Sequence, residues 1–177
     1  MSESLFKTIF LVDIPNLYSY SRTRKSSISE LISAFIPVAL KKNRPIKLIG
    51  SAKYLPQFND AYIKTFSELK TVLSCDAEFL LTTGKDDEFL LSKLSEAKNA
   101  DTAVVISADR LLLKRAIYGF DYLNLPAKKK KLVLVGYPLQ SRNGEPYHPI
   151  DVLAEEIEKH PFVSAFDFHR LTGGNGI

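Results

Sequence analysis

Short apolar runs and amphipathic stretches alternate along the whole chain. Lys7–Val12, KTIFLV, is a compact apolar run that reads as a buried strand. Ser26–Lys42 places Ile28, Leu31, Ile32, Phe35, Ile36 and Ala39 at helical spacing, with Ser27 or Ser29 as caps and Pro37 as a kink. Ile46–Ile49 is a second strand, followed by Gly50, and Phe58–Leu73 a helix through Ala61, Tyr62, Phe66, Leu69 and Leu73. Glu78–Leu81 is a third strand. A turn at Gly84–Asp87 then opens a helix over Asp86–Ala97 with Phe89, Leu90, Leu94 and Ala97 on one face. Ala103–Ile106 is a fourth strand, Arg110–Tyr118 a helix, Lys131–Val135 a fifth strand, and Pro149–His160 a final helix with an acidic exposed face. This rhythm predicts βαβ units and a mainly parallel sheet between layers of helices.

At 177 residues, with 45% hydrophobic and 25% charged, the chain suits one domain over residues 1–160 and a C-terminal tail over 161–177. The composition excludes a disordered or low-complexity protein. No apolar run nears the ~20 residues that span a bilayer, and the acidic N-terminus lacks the basic start of a signal peptide. Cys75 is the sole cysteine, so no intrachain disulfide forms, and three histidines give no zinc spacing. A cytoplasmic protein without a membrane partner is the expectation. Charge is uneven: residues 1–75 hold 11 Lys/Arg against 5 Asp/Glu, and residues 76–177 hold 13 against 15. A basic half beside an acidic one suits a polyanion held over a metal site, although an ordinary solvated surface looks the same.

The candidate chemistry lies where strands end, because open parallel sheets bind ligands outside the carboxyl ends of their strands. After the first strand the chain reads Asp13-Ile14-Pro15-Asn16; after the third, Asp86-Asp87; after the fourth, Ser107-Ala108-Asp109. Carboxylates gathered at one edge repel one another, and a hard divalent cation such as Mg²⁺ or Mn²⁺ makes them tolerable. Each acid also has a plainer role. Asp86 and Asp87 suit the first turn of a helix, Asp109 suits a helix cap, and Asn16 suits a turn beside Pro15. No G-x-G-x-x-G follows a strand, which leaves out a nucleotide cofactor, and no D-x-D-x-T follows the first strand, which weakens a small-molecule phosphohydrolase.

Taken in order, FLVDIPN, GKDDEFLLSKLSEA and VVISAD resemble the three motifs of the NYN branch of PIN-like nucleases, closest in style to the CCCH zinc-finger ribonucleases, over residues 7–136. The resemblance implies an α/β, Rossmann-like three-layer sandwich with a mainly parallel central sheet. It implies a metal-dependent ribonuclease that attacks RNA with water. Asp13, Asp86, Asp87 and Asp109 would be the catalytic, metal-ligating residues for Mg²⁺ or Mn²⁺, and Asn16 and Ser107 would orient them or the scissile phosphate. Homodimerisation is implied by the same family. Two departures stand out: Ile14-Pro15 replaces the small residues usual between the first Asp and Asn, narrowing the approach, and Leu113 replaces a further acid. They keep open a non-catalytic NYN-like domain that binds RNA or a protein.

Arg22, Arg24 and Lys25, in a loop SYSRTRKSS with Tyr18 and Tyr20 close by, are candidate RNA contacts, as is Lys85 beside the paired acids. A solvated loop is the alternative. The Lys128–Lys131 run opens a strand from the opposite edge and reads as a solubilising turn, His148 in PYHPID as a surface residue with a general base as the alternative, and Cys75 as a small core residue.

Overall fold

All six residues of β1, Thr8–Asp13, are buried. A strand covered on both faces has no polar face to present, so its apolar run is unbroken until its last residue. In the computed structural model, residues 8–24, 30, 46–100, 102–140 and 146–167 are described, with only the backbone for Arg24, Lys129, Leu139, Gln140, Pro146 and Tyr147. The expected helix over Ser26–Lys42, its caps and its Pro37 kink lie outside the described residues.

β1 is flanked by β2, Ile46–Lys53, and β4, Thr102–Ile106. Beyond β2 lies β3, Asp76–Thr82; beyond β4 come β5, Leu132–Gly136, and β8, Val163–Asp167. The order β3-β2-β1-β4-β5-β8 is parallel throughout. A short antiparallel pair, β6 (Leu139–Gln140) and β7 (Pro146–Tyr147), stands apart.

Alternation along β1 and β2 sorts side chains into two apolar layers. Phe10, Val12 and Leu48 pack with Leu17 and Tyr20 of α1 (Ile14–Arg24) and with Tyr62, Phe66 and Leu69 of α2 (Asn59–Leu73). Ile9, Leu11 and Ile49 pack with Leu90 of α3 (Asp86–Ser92) and with Leu112, Leu113, Ile117 and Phe120 of α4 (Arg110–Tyr122). The result is the expected three-layer α/β sandwich. Burying each such Leu, Ile or Phe stabilises the fold by roughly 1.5–3 kcal/mol.

The structure corrects several local expectations. The loop carrying Arg22 and Arg24 is helix α1, which starts directly after Asp13. Pro15 sits in its first turn, where a missing N–H costs nothing, so D-I-P-N is a helix start rather than a turn. Ile14 points into the core and is fully buried, so it does not narrow the edge. β2 continues through Gly50 because a Cβ there would lie 2.7 Å from the Phe66 ring; the glycine lets α2 close on the sheet. α3 tightens into 3₁₀ turns over Lys93–Asn99 instead of running as one α-helix to Ala97. The final helix divides into α5, Pro149–Val152, and α6, Ala154–Glu158, at Leu153, whose side chain is buried in the core. Val163–Asp167, placed by sequence in the tail, forms edge strand β8 against β5. Of its inner residues Ser164 is exposed and Ala165 and Phe166 are half-buried, so it shows neither a continuous apolar run nor a clean alternation.

Candidate active site

β1 and β4 are adjacent, yet the chain leaves β1 toward β2 on one side and returns to build β4 and β5 on the other. The crevice beyond their carboxyl ends is the switch point of the sheet. Asp13 ends β1, and Ser107 directly follows β4.

Asp13 is 5% exposed. Its Oδ2 accepts hydrogen bonds from Ser107 Oγ at 2.9 Å and from Asn16 Nδ2, and Oδ1 accepts from the Asn16 backbone N–H at 3.4 Å. Asp13 therefore caps α1 while its other oxygen faces the β4 end. Ser107, itself fully buried, also accepts from the Asp109 N–H at 3.0 Å, so one hydroxyl joins two of the motifs. Burial pushes the Asp13 carboxyl up to about 7, against the pull of the Ser107 and Asn16 hydrogen bonds and with the added repulsion of Asp87.

Asp86 and Asp87 open α3. Ser51, 1% exposed and in register with Asp13, donates from Oγ to the Asp86 carbonyl at 3.1 Å and latches this turn to the sheet edge. Burial raises the Asp87 carboxyl to about 6, reinforced by charge on Asp86 and Asp109 and opposed by Arg115. Arg115 in turn pairs with Glu88 at 2.7 Å. Asp109 caps α4: its Oδ1 accepts from the Leu111 and Leu112 N–H groups at 2.7 and 3.2 Å. The capping role open to Asp109 in the sequence is thus filled, through one of its two oxygens.

The four acids share one electrostatic neighbourhood: Asp13 feels Asp87, and Asp87 feels Asp86 and Asp109. Among the described residues, no lysine, arginine or histidine forms an ion pair with any of them within 4.0 Å. No three His, Cys, Asp or Glu side chains among the described residues converge closely enough to enclose a metal ion. The donor set is nonetheless all carboxylate oxygen, with one member buried at a protonation cost. That chemistry fits a hard divalent ion that keeps part of its water shell, rather than a soft ion in a closed cage.

The expected substrate contacts divide. Arg22 is exposed on α1, with its guanidinium 5.6 Å from the centre of the Tyr18 ring and Nη1 3.4 Å from the Tyr18 hydroxyl. Tyr18 meets Tyr62 and Phe58 edge-on, and charge on Asp13 and Asp86 helps hold the Tyr62 hydroxyl above its usual range after burial and Tyr18. Tyr62 thus borders the acids, with Tyr18 and Arg22 beyond it. Tyr20 is buried against Tyr137 and belongs to the core, unlike Tyr18. Arg24 is the last residue of α1; its side chain and all of Lys25 lie outside the described residues. Lys85 is exposed at the residue preceding α3. At the opposite edge Lys130 pairs with Asp121, and Lys128 and Lys131 are exposed. Cys75 is half-buried at the margin of the core, and burial raises its thiol.

Sequence reasoning missed Ser51 and Asp167. Ser51 sits in an unremarkable GSAK segment, and only register places it opposite Asp13. Asp167 lies in the stretch read as tail.

No family model and no curated protein sequence matches the chain. The chain is similar in fold to T5 5′-exonuclease. A structure of that enzyme with divalent metal ions (zinc) bound aligns at 16% identity and a TM-score of 0.46, covering 86% of this chain and 61% of the exonuclease. A point mutant of it aligns at 17% identity and a TM-score of 0.42, covering 86% and 57%. A protein of unknown function from Vibrio parahaemolyticus aligns at 18% identity and a TM-score of 0.48, covering 77% and 85%. The chain thus spans about three fifths of the exonuclease. No helix among the described residues is long and apolar enough to cross a membrane.

Proposed function

We propose that this edge hydrolyses RNA phosphodiester bonds with the help of Mg²⁺ or Mn²⁺, in the manner of the NYN nucleases its motifs resemble. The observation that carries the reading is Asp13, a buried carboxyl held near neutrality beside Asp87, with no basic partner among the described residues. A group of that kind costs the fold stability unless a ligand compensates it.

Asp13, Asp86, Asp87 and the second oxygen of Asp109, which accepts no hydrogen bond among the described residues, would hold the ion, in part through its waters. Bound there, a divalent ion lowers the pKa of a water and neutralises charge on the reacting phosphate. The chain supplies the rest. Ser107 and Asn16 fix the rotamer of Asp13 through three hydrogen bonds. Ser51 fixes the entry to α3. Arg22, stacked near Tyr18, meets the backbone and bases of a single strand, and Lys85 lies beside the paired acids to meet a phosphate. A cytoplasmic RNA and a homodimer complete the proposal.

Labelled RNA should be cut in Mn²⁺ and left intact in EDTA; cutting that survives EDTA overturns the mechanism. Ser51→Ala should raise the Mn²⁺ concentration for half-maximal activity about tenfold, the order expected for an outer-shell support, at a stability cost of only ~1 kcal/mol. An unchanged metal requirement contradicts the latch.

A second reading follows from Leu113, which is fully buried where the resembled family carries an acid, and from the capping commitment of Asp109. On that reading the domain binds RNA with strong salt dependence and cuts nothing.

A further inference from the structure

The strand register aligns a second polar group with the acid site. Val12 faces Ile106, Ile106 faces Val135, and Gly136 faces Asp167. One step further along, Asp13, Ser107, Gly136 and Asp167 form a single row across the carboxyl edge. Three strand spacings of ~4.8 Å separate its ends, about 14 Å. The Asp167 side chain is 5% exposed, and its Oδ2 lies 2.9 Å from His148 Nδ1, while the His148 side chain is 27% exposed.

Gly136 makes the pairing possible. A Cβ there would fall 2.6 Å from Ile150 Cγ1 and 3.2 Å from Pro149 Cγ, so only glycine lets α5 settle on the end of β5 and bring the preceding His148 to Asp167. The imidazole has one nitrogen engaged by a buried carboxylate, which fixes the ring and leaves Nε2 as its second polar atom.

We infer that His148, oriented by Asp167, is a substrate-binding residue that contacts a backbone phosphate of single-stranded RNA about 14 Å along the edge from the acid cluster. The inference rests on the nuclease reading for its substrate and gives that site a direction, running from β1 across β4 and β5 to β8. A single strand crossing the edge would pass the acids at one end and the His148–Asp167 pair at the other.

The test is binding of the full chain to a fluorescein-labelled oligouridylate in EDTA, read by anisotropy, with cleavage in Mn²⁺ measured separately. His148→Gln should weaken binding about tenfold, as for loss of a hydrogen bond to a charged group, raise KM in proportion and leave kcat unchanged. His148→Lys should restore affinity, because its ammonium can donate to the same phosphate oxygen. Asp167→Asn should weaken binding in the wild-type background and have no effect on top of His148→Gln, since it acts through the ring. Equal affinity of His148→Gln and wild type overturns the assignment and leaves the acid site standing. So does a fall in Tm with affinity unchanged, the signature of a mere tie between α5 and β8. A loss of kcat that lysine does not rescue also overturns it. RNA bound in EDTA but never cut in Mn²⁺ overturns the hydrolytic reading alone.

Discussion

Asp13→Asn is expected to lower RNA cleavage by a hundredfold or more, roughly the upper end of what removing a supporting residue of a metal site costs, and at the same time to stabilise the metal-free protein. The two effects have one cause. At neutral pH the fold bears the cost of a carboxyl that prefers its proton, its pKa raised from 3.8 to about 7 by burial. A shift of that size corresponds to about 4 kcal/mol between the charged and neutral forms. Asparagine removes the charge and keeps an oxygen to accept from Ser107 and Asn16. Part of the gain is offset because hydrogen bonds to an ionised acceptor are the stronger ones, so a net rise of about 1–3 kcal/mol is expected in urea unfolding above pH 7. Lower stability together with lost activity would mark Asp13 as a structural helix cap alone.

The second large effect is on pH. Asp13 and Asp87 have folded-state pKa values raised from 3.8 to about 7 and about 6. Below about pH 4 both are protonated in the folded and the unfolded chain, and neither destabilises the fold. As pH rises, the unfolded chain releases these protons first, so the folded state binds more of them and loses stability relative to the unfolded one. The loss accumulates between about pH 4 and pH 7 and then levels off. Asp13 alone accounts for about 4 kcal/mol of it, and the half-exposed Asp87 adds less because solvent screens it. The metal-free protein should therefore melt at lower temperature at pH 7.5 than at pH 5, and Asp13→Asn should flatten that profile. Mn²⁺ should raise Tm much more at pH 7.5 than at pH 5, since it competes with protons for the same oxygens. A profile that rises from pH 5 to 7.5 without metal contradicts the assigned protonation.

Much of this is legible in the chain. β1 and β4 stand out because strands buried on both faces must be apolar throughout, which makes the polar residues that follow the apolar run conspicuous. Asp13, Ser107 and Asp109 are visible for that reason, whereas Asp86 and Asp87 follow the half-buried edge strand β3 and are visible as a helix start after Gly84. What stays hidden depends on distance in sequence. Ser51 is ordinary until the register sets it beside Asp13. Asp167 looks like tail until β8 pairs with β5 and sets it opposite Gly136, a long-range contact that no local pattern encodes. Helix α1 escapes a sequence reading for a local reason: Pro15 beside Asn16 suggests a turn, although in a first turn proline favours the helix. The role of Asp109 is ambiguous in sequence because a helix cap and a metal ligand use the same side chain, and the structure shows one oxygen spent on the cap.

On the proposed reading Asp13, Asp86, Asp87 and Asp109 share a divalent ion. Anomalous scattering from crystals grown in Mn²⁺ tests it most directly. A peak within ligand distance of Asp13 and of Asp86 or Asp87 is the predicted result, and well-ordered carboxylates with no peak between them would contradict it.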